Sequence, residues 1–284
     1  MLVSICAMNL ETAIAAPVTF NTALPVSQGH GVGREQMIYA KGTAAGEAIR
    51  AIQSVTVLGY GVTPELAVFS MVPWASREAD MAMGGERRVS GLGDIGLFAR
   101  YTAYRHDISG GTVRLAPFLG VEIPTGESRR SGASGPVPLG LQPGSGSWDM
   151  LGGLVASWAT LDLNIDGQVA WQINTRAHGF ERGDVFQADM AIQRRLLPRV
   201  LDADTEGFLF GGIEINFQHE GMTRIGGMAD ANSGADRLFI TPALQYARKR
   251  WMAEAGLQIP IAQSPNGTNV KQDIVLRLGI RLNL

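Results

Sequence analysis

The amino-acid sequence predicts an all-β fold, a transmembrane antiparallel up-and-down β-barrel of about twelve strands. Three observations carry this. Apolar and polar residues alternate with a period of two over long segments, connectors between the segments alternate between short and long, and aromatic residues gather near segment ends.

Composition removes the competing classes. The chain has 284 residues, a formal charge of −2, 18 % charged residues and 36 glycines. A balanced charge gives no electrostatic footprint for nucleic acid, so none is expected as a partner. The one cysteine, Cys6, lies near the N-terminus and leaves the rest of the chain without a disulfide framework, thiol nucleophile or cysteine-based metal site. No stretch reaches the roughly 18 uninterrupted apolar residues of a membrane-spanning helix.

The chain divides at about residue 33. Residues 1–33 read as a partial signal and N-terminal extension, because Ala13-Ile14-Ala15 and Ile14-Ala15-Ala16 carry the small-residue pattern of a signal-peptidase site. Pro17 and a polar, glycine-rich run to Gly33 follow, while residues 1–10 contain no lysine or arginine. Residues 34–284 read as one barrel domain.

Candidate strands fall at 34–42, 50–61, 65–73, 94–101, 113–123, 147–158, 161–173, 185–195, 207–218, 237–248, 250–261 and 274–284. The clearest is 161–173, where Leu161, Leu163, Ile165, Val169, Trp171 and Ile173 alternate with Asp162, Asn164, Asp166, Gln168 and Gln172. The last segment repeats the pattern, with Ile274, Leu276, Leu278, Ile280 and Leu282 against Arg277, Arg281 and Asn283. Soluble strands average about 5–6 residues. Most of these run about 11–13, which at about 3.3 Å per residue and a tilt near 45° span roughly 25–30 Å, one hydrocarbon core. At that depth no water pairs the backbone, so the sheet must close on itself.

Connector lengths agree, since outer-membrane barrels have short periplasmic turns and long outer loops. With both termini periplasmic, the predicted turns are 62–64, 105–112, 159–160, 196–206 and 249–250. The predicted outer loops are 43–49, 74–90, 124–146, 174–184, 219–236 and 262–272, and the longest, 124–146, is the one expected to move or fold inward. Trp148 and Trp158 bracket one strand, and Trp171, Tyr246 and Trp251 also fall near strand ends, as interfacial rings do.

Other motifs carry less. Gly91-Leu92-Gly93-Asp94-Ile95-Gly96 matches a dinucleotide fingerprint but opens a strand instead of joining strand to helix. The run 230–236 resembles the start of a calcium loop, yet lacks the glycine at its sixth position and has Thr241 where the closing glutamate belongs. Asp202, Asp204 and Glu206 read as a solvated acidic turn. His178 near Glu181 and His219 beside Glu220 are the local candidates for hydrolytic chemistry, and solvated loop residues are the better reading of both. No catalytic, cofactor-binding or metal site is assigned, and no cofactor is expected.

The wet face carries the functional information. Its candidate pore-lining residues are Asp94, Arg100, Arg114, Glu122, Asp162, Asp166, Asp189, Arg195, Glu214, Glu254, Arg277 and Arg281, with Asp149 and several amides among them. Such a lining suits a hydrated pore and equally a network of ion pairs filling the interior. Twelve strands lie between filled eight-stranded barrels and open sixteen-stranded ones. Phe118, Phe208, Phe210 and Phe239 also point inward in this register, as an apolar slide or as filling.

Three blocks carry a family resemblance: Leu92-Gly93-Asp94-Ile95-Gly96-Leu97-Phe98-Ala99-Arg100-Tyr101, then Ala116-Pro117-Phe118-Leu119-Gly120-Val121-Glu122-Ile123-Pro124-Thr125-Gly126, then Gly144-Ser145-Gly146-Ser147-Trp148-Asp149. In this order they resemble the Gram-negative outer-membrane barrels grouped as the phenol-degradation MetA-pathway transporters, over about residues 25–284. The resemblance implies a passive outer-membrane transporter, for hydrophobic or aromatic compounds among others, and carries over no catalytic residue. Leu284 stands where such barrels usually end in an aromatic residue.

The expectation is therefore a monomeric, non-enzymatic outer-membrane channel for passive diffusion of small solutes, whose partners are outer-membrane lipid and the solute. A plugged structural or partner-binding barrel and an outer-membrane hydrolase are the alternatives.

Overall fold

The computed structural model describes residues 15–80, 86–132, 135–136, 141–201 and 205–284. Twelve strands follow one another around a ring. They are β1 Gly31–Ala44, β2 Glu47–Gly61, β3 Leu66–Asp80, β4 in three stretches (Glu86–Leu92, Ile95–Tyr101 and Tyr104–Ile108) and β5 Gly111–Ile123. Next come β6 Asp149–Thr160, β7 Leu163–Ile173, β8 Val185–Leu197, β9 Gly207–Glu220, β10 Ala235–Arg248, β11 Trp251–Pro265 and β12 Lys271–Asn283. The stretches of β4 share one place in the wall: the first two pair with β3 and the last two with β5.

Closure comes from β12, which pairs antiparallel with β1 from Asn283 opposite Val32 to Lys271 opposite Thr43. Gly31 and Leu284 exchange both backbone hydrogen bonds, at 3.1 and 2.9 Å, at the base of that seam. Every wall strand thus has two neighbours, which is what hydrocarbon demands of a spanning sheet.

The alternation sets the two faces. On β10, Ala235, Arg237, Phe239, Thr241, Ala243, Gln245 and Ala247 are buried inside, while Leu244 and Tyr246 between them are exposed on the outer wall. Outward aromatics mark two levels: Tyr60, Tyr101, Trp158, Tyr246 and Trp251 toward the short turns, and Trp74, Trp148 and Trp171 toward the long loops. This apolar band between aromatic girdles on a closed barrel is the exterior of a membrane-spanning protein.

All twelve predicted strands are present, and most are longer than predicted. The expected outer loop 43–49 is a two-residue turn at Ala45-Gly46, with φ of 52° and 85°. Much of 74–90 belongs to β3 and β4, and most of 105–112 is strand on either side of Ser109-Gly110. The reason is physical: beyond the bilayer both faces meet water, so polar residues such as Arg50 and Glu78 erase the alternation while the ladder continues. The dinucleotide-like run sits at the first break of β4, where the Gly93 N–H reaches the Pro73 carbonyl at 2.8 Å.

Strands begin at Gly31, not at 34. Residues 15–30, expected as extension, run inside the barrel toward the base of β2; the cleavage-site residues Ala13 and Ile14, and Cys6, lie outside the described residues.

Candidate functional site

The site is the lumen, and its centre is held by the chain's own N-terminal segment. Nothing in this segment forms a regular element, so each backbone group needs a partner from the wall. The Glu214 carboxylate on β9 accepts the Val18 N–H at 2.6 Å, the Thr19 N–H at 3.0 Å and the Thr19 hydroxyl. Gln245 on β10 both accepts from the Ala16 N–H, at 3.3 Å, and donates to the Ala16 carbonyl, at 2.5 Å. Gln193 on β8 also donates to that carbonyl at 3.2 Å, and Asn164 on β7 donates to Ala15 O at 3.0 Å.

Arg34 and Gln36 on β1 converge on the Val18 carbonyl at 2.7 and 2.9 Å. Farther along, Ser157 on β6 receives the Ala23 N–H at 2.8 Å and Asp166 receives the Thr22 hydroxyl at 2.9 Å. On the far wall, Arg100 of β4 donates to the carbonyls of Thr22 and Leu24, the latter at 2.6 Å. Contacts from β7–β11 at one end and β4 at the other make the segment a strap across the lumen. Ala15 packs with Phe210, Ala247 and Met252.

The strap leaves past Gly61 at the foot of β2. A side chain there would collide with the carbonyl oxygens of Ser27 and Val26, so the close approach requires glycine. Gly61→Val is expected to push residues 26–28 off the wall and to expose the strap to protease added from the turn side of a folded barrel. An unchanged cleavage rate would contradict this close packing.

Charges around the strap balance. Arg34 pairs with Glu254 at 2.5 Å, and Arg281 reaches the other oxygen of Glu254 at 3.5 Å. Arg277 donates to Gln258 and Gln36, at 3.3 and 3.1 Å, and Asp189 is held by Asn216 and Gln168. Buried charges need such partners in a confined interior. Toward the outer mouth, Asp94 accepts the N–H groups of Gly126 at 2.8 Å and Ser145 at 2.5 Å, which ties both ends of the 124–146 loop to the inner wall. Gly126 and Gly144 meet backbone to backbone there.

Between strap and mouth lies a cavity of about 200 Å³, lined by Gln53, Gln187, Gln218, Gln258, Asn216, Asp189, Arg277 and Phe239 among others. Gln53, Gln187 and Gln218 make no side-chain hydrogen bond among the described residues.

The wet-face residues separate into levels. Asp94 and Glu122 stand near the outer mouth. Arg100, Asp166, Asp189, Glu214, Glu254, Arg277 and Arg281 surround the strap or the cavity above it. Arg114 and Arg195 lie near the turn end. Asp162 does not face the lumen: it occupies the β6–β7 turn, exposed, and pairs with Arg195 at the rim. Its alternation with Leu161 extends past the end of the ladder.

Phe118, Phe210 and Phe239 face inward and are buried. Phe210 packs against the strap-bound cluster with Phe208 beside it, while Phe118 joins Phe98 edge-on at 6.2 Å, so they fill space. His178 contacts Arg129, and His219 contacts Asp236 at 2.6 Å on the exposed rim; among the described residues neither ring is bonded to a hydroxyl. Glu206 of the acidic turn pairs with Arg248, whereas Asp202 and Asp204 lie outside the described residues. Sequence reasoning missed Arg34, Gln36, Ser157 and Gln193 as strap ligands. Their parity with Ile38, Val155 and Asp189 was the available signal.

The family model described as "Putative MetA-pathway of phenol degradation" matches residues 43–259. The crystal structure of the COG4313 outer membrane channel from Pseudomonas putida F1 is similar with a TM-score of 0.66 and 17 % identity, covering 95 % of this chain and all of that one. The β domain of the Bordetella autotransporter BrkA is similar with a TM-score of 0.51 and 10 % identity, over 90 % of this chain and all of that domain. At these identities the likeness carries the barrel fold. No individually curated protein matches the chain.

Proposed function

The chain belongs to the phenol-degradation MetA-pathway family, and we propose that it is an outer-membrane channel for passive diffusion of small solutes, closed at rest by its own N-terminal strap. The observation that carries this reading is the strap itself, an irregular segment gripped by wall side chains across a polar lumen. A sealed structural wall has no need of a removable stopper. A closed ring of one chain encloses the lumen, which supports a monomeric conducting unit surrounded by outer-membrane lipid.

The channel works without covalent chemistry, since the pieces needed are a polar path and a gate. Three glutamine amides without a partner among the described residues, beside one acid and one arginine, favour small, polar, hydrogen-bonding solutes in the outer cavity. The buried packing of Phe118, Phe210 and Phe239 lends no support to an apolar slide for aromatic compounds.

Planar-bilayer recording tests this directly. In a chain without the strap, Arg277→Asp with Arg281→Asp replaces two lumen cations by anions and is expected to move the reversal potential toward cation selectivity. An unchanged reversal potential in an open barrel would take both residues out of the conduction path. A folded, strapless barrel that passes no ions would overturn the channel reading.

A further inference from the structure

Among the described residues the outer face of the barrel contains one polar notch at mid-depth. On the described outward rows between the girdles, β5–β12 present Leu, Ile, Val, Met, Ala, Gly, Pro and Phe, whereas β1–β3 present Glu35, Ser54, Thr56 and Ser70 among their apolar neighbours. Gln36 reaches the strap inside, which sets Glu35 outside. The Glu35 carboxyl receives the Thr56 hydroxyl on one oxygen, at 2.5 Å, and the Ser54 hydroxyl on the other. Glu35 lies opposite Thr56, four residues along β2 from Tyr60 below and four from Ile52 above, and Ile52 faces Tyr39. Each interfacial tyrosine is thus about 13 Å away along the strand, so the carboxyl stands midway between them.

An ionisable group turned toward hydrocarbon at that level is unfavourable, and where one persists it marks a contact or a function. Ser54 and Thr56 leave further acceptor sites on the carboxyl open, and the Ser70 hydroxyl has no partner among the described residues. Acyl chains offer nothing to either. The occupant must itself be embedded in the membrane and bring hydrogen-bonding groups to the same depth.

We propose that this face docks a second copy of the chain, about a two-fold axis along the membrane normal beside β2. Rotation about the normal preserves depth, so every notch residue meets the matching layer of its partner without adjustment. Glu35 and Ser70 flank β2 on opposite sides, on β1 and β3, and the rotation sets the Glu35-bearing strand of each copy across from the Ser70-bearing strand of the other. One copy then supplies the donor that the other copy's carboxyl can still accept. Gly33, one step below Glu35 on the same row, lets the walls approach closely. The lumen stays within each copy, so pairing leaves the conducting unit unchanged.

Cysteine cross-linking in proteoliposomes decides this. With Cys6→Ser as background, Leu58→Cys places a thiol on β2 beside the axis, and Leu244→Cys places one on the far wall; both positions are exposed on the outer face. A short bifunctional maleimide is expected to give a species of twice the mass from Leu58→Cys and not from Leu244→Cys. Adding Glu35→Leu to Leu58→Cys is expected to weaken association about tenfold, with heat-modifiable gel mobility reporting an intact barrel. Equal cross-linking at both positions, none at Leu58→Cys, or no loss with Glu35→Leu in a folded barrel would overturn the proposal. Should Glu35→Leu fail to fold, the comparison of the two cysteine positions decides alone.

Discussion

A chain lacking residues 16–26 is expected to conduct as an open tube, with a single-channel conductance about tenfold above that of the intact protein. The strap lies across the lumen from Gln245 to Arg100, and its removal leaves a passage lined by polar side chains. The barrel itself should persist, because the β12–β1 seam starts at Gly31–Leu284 and owes nothing to those residues. Planar-bilayer recording on the purified barrel checks this. Equal conductance from the intact and shortened chains, both folded, would mean that the strap does not obstruct flow.

Glu214→Ala is expected to have the next largest effect, because one carboxylate holds two backbone N–H groups and a hydroxyl of the strap. Hydrogen bonds to charged acceptors are worth about 1.5–3 kcal/mol each, and bonds sharing one acceptor are not additive. A loss of about 3 kcal/mol in strap retention is a reasonable sum, which shifts the closed-to-open ratio by roughly a hundredfold. The gain appears as open probability at unchanged open-state conductance. Glu214→Gln keeps one acceptor oxygen and should fall between. A wild-type open probability in Glu214→Ala would show that the remaining anchors, Gln245, Arg34 and Arg100, suffice alone.

Much of the architecture was legible because a two-residue period has only one way to be satisfied in a lipid-facing wall. Leu161 to Ile173 and Ile274 to Leu282 fixed the parity of their strands, and the tryptophans fixed the depth. The same logic fails once the ladder leaves the membrane, which is why Ala45-Gly46 looked like a seven-residue loop and why Asp162 looked like lumen. The strap was illegible for a different reason. Period two states which side chains face inward and is silent on what they meet there, and Val18 or Thr19 has no periodicity of its own. The hint lay in the wall: Glu214, Gln245, Gln193 and Asn164 are deeply buried polar groups on neighbouring strands, and buried polar groups must find partners. The ring alone offered them too few. Two of the four hydrogen bonds of the Gln245 amide go to Ala16, and among the described residues Glu214 is bonded wholly to Val18 and Thr19.

If the N-terminal segment resides in the lumen of the membrane-embedded protein and blocks it, a covalent link between segment and wall must hold the current low. Thr22 of the strap and Ser157 on β6 hold their hydroxyl oxygens 3.0 Å apart, and a cysteine at either position puts its sulfur where that oxygen stands. Current through Cys6→Ser, Thr22→Cys, Ser157→Cys barrels in a planar bilayer is the direct measurement. An oxidant is expected to form the disulfide and lock the channel in its low-conductance state, and a reductant to release it. Two thiols that stay free under oxidant, or a disulfide that leaves the current untouched, would contradict the lumenal block.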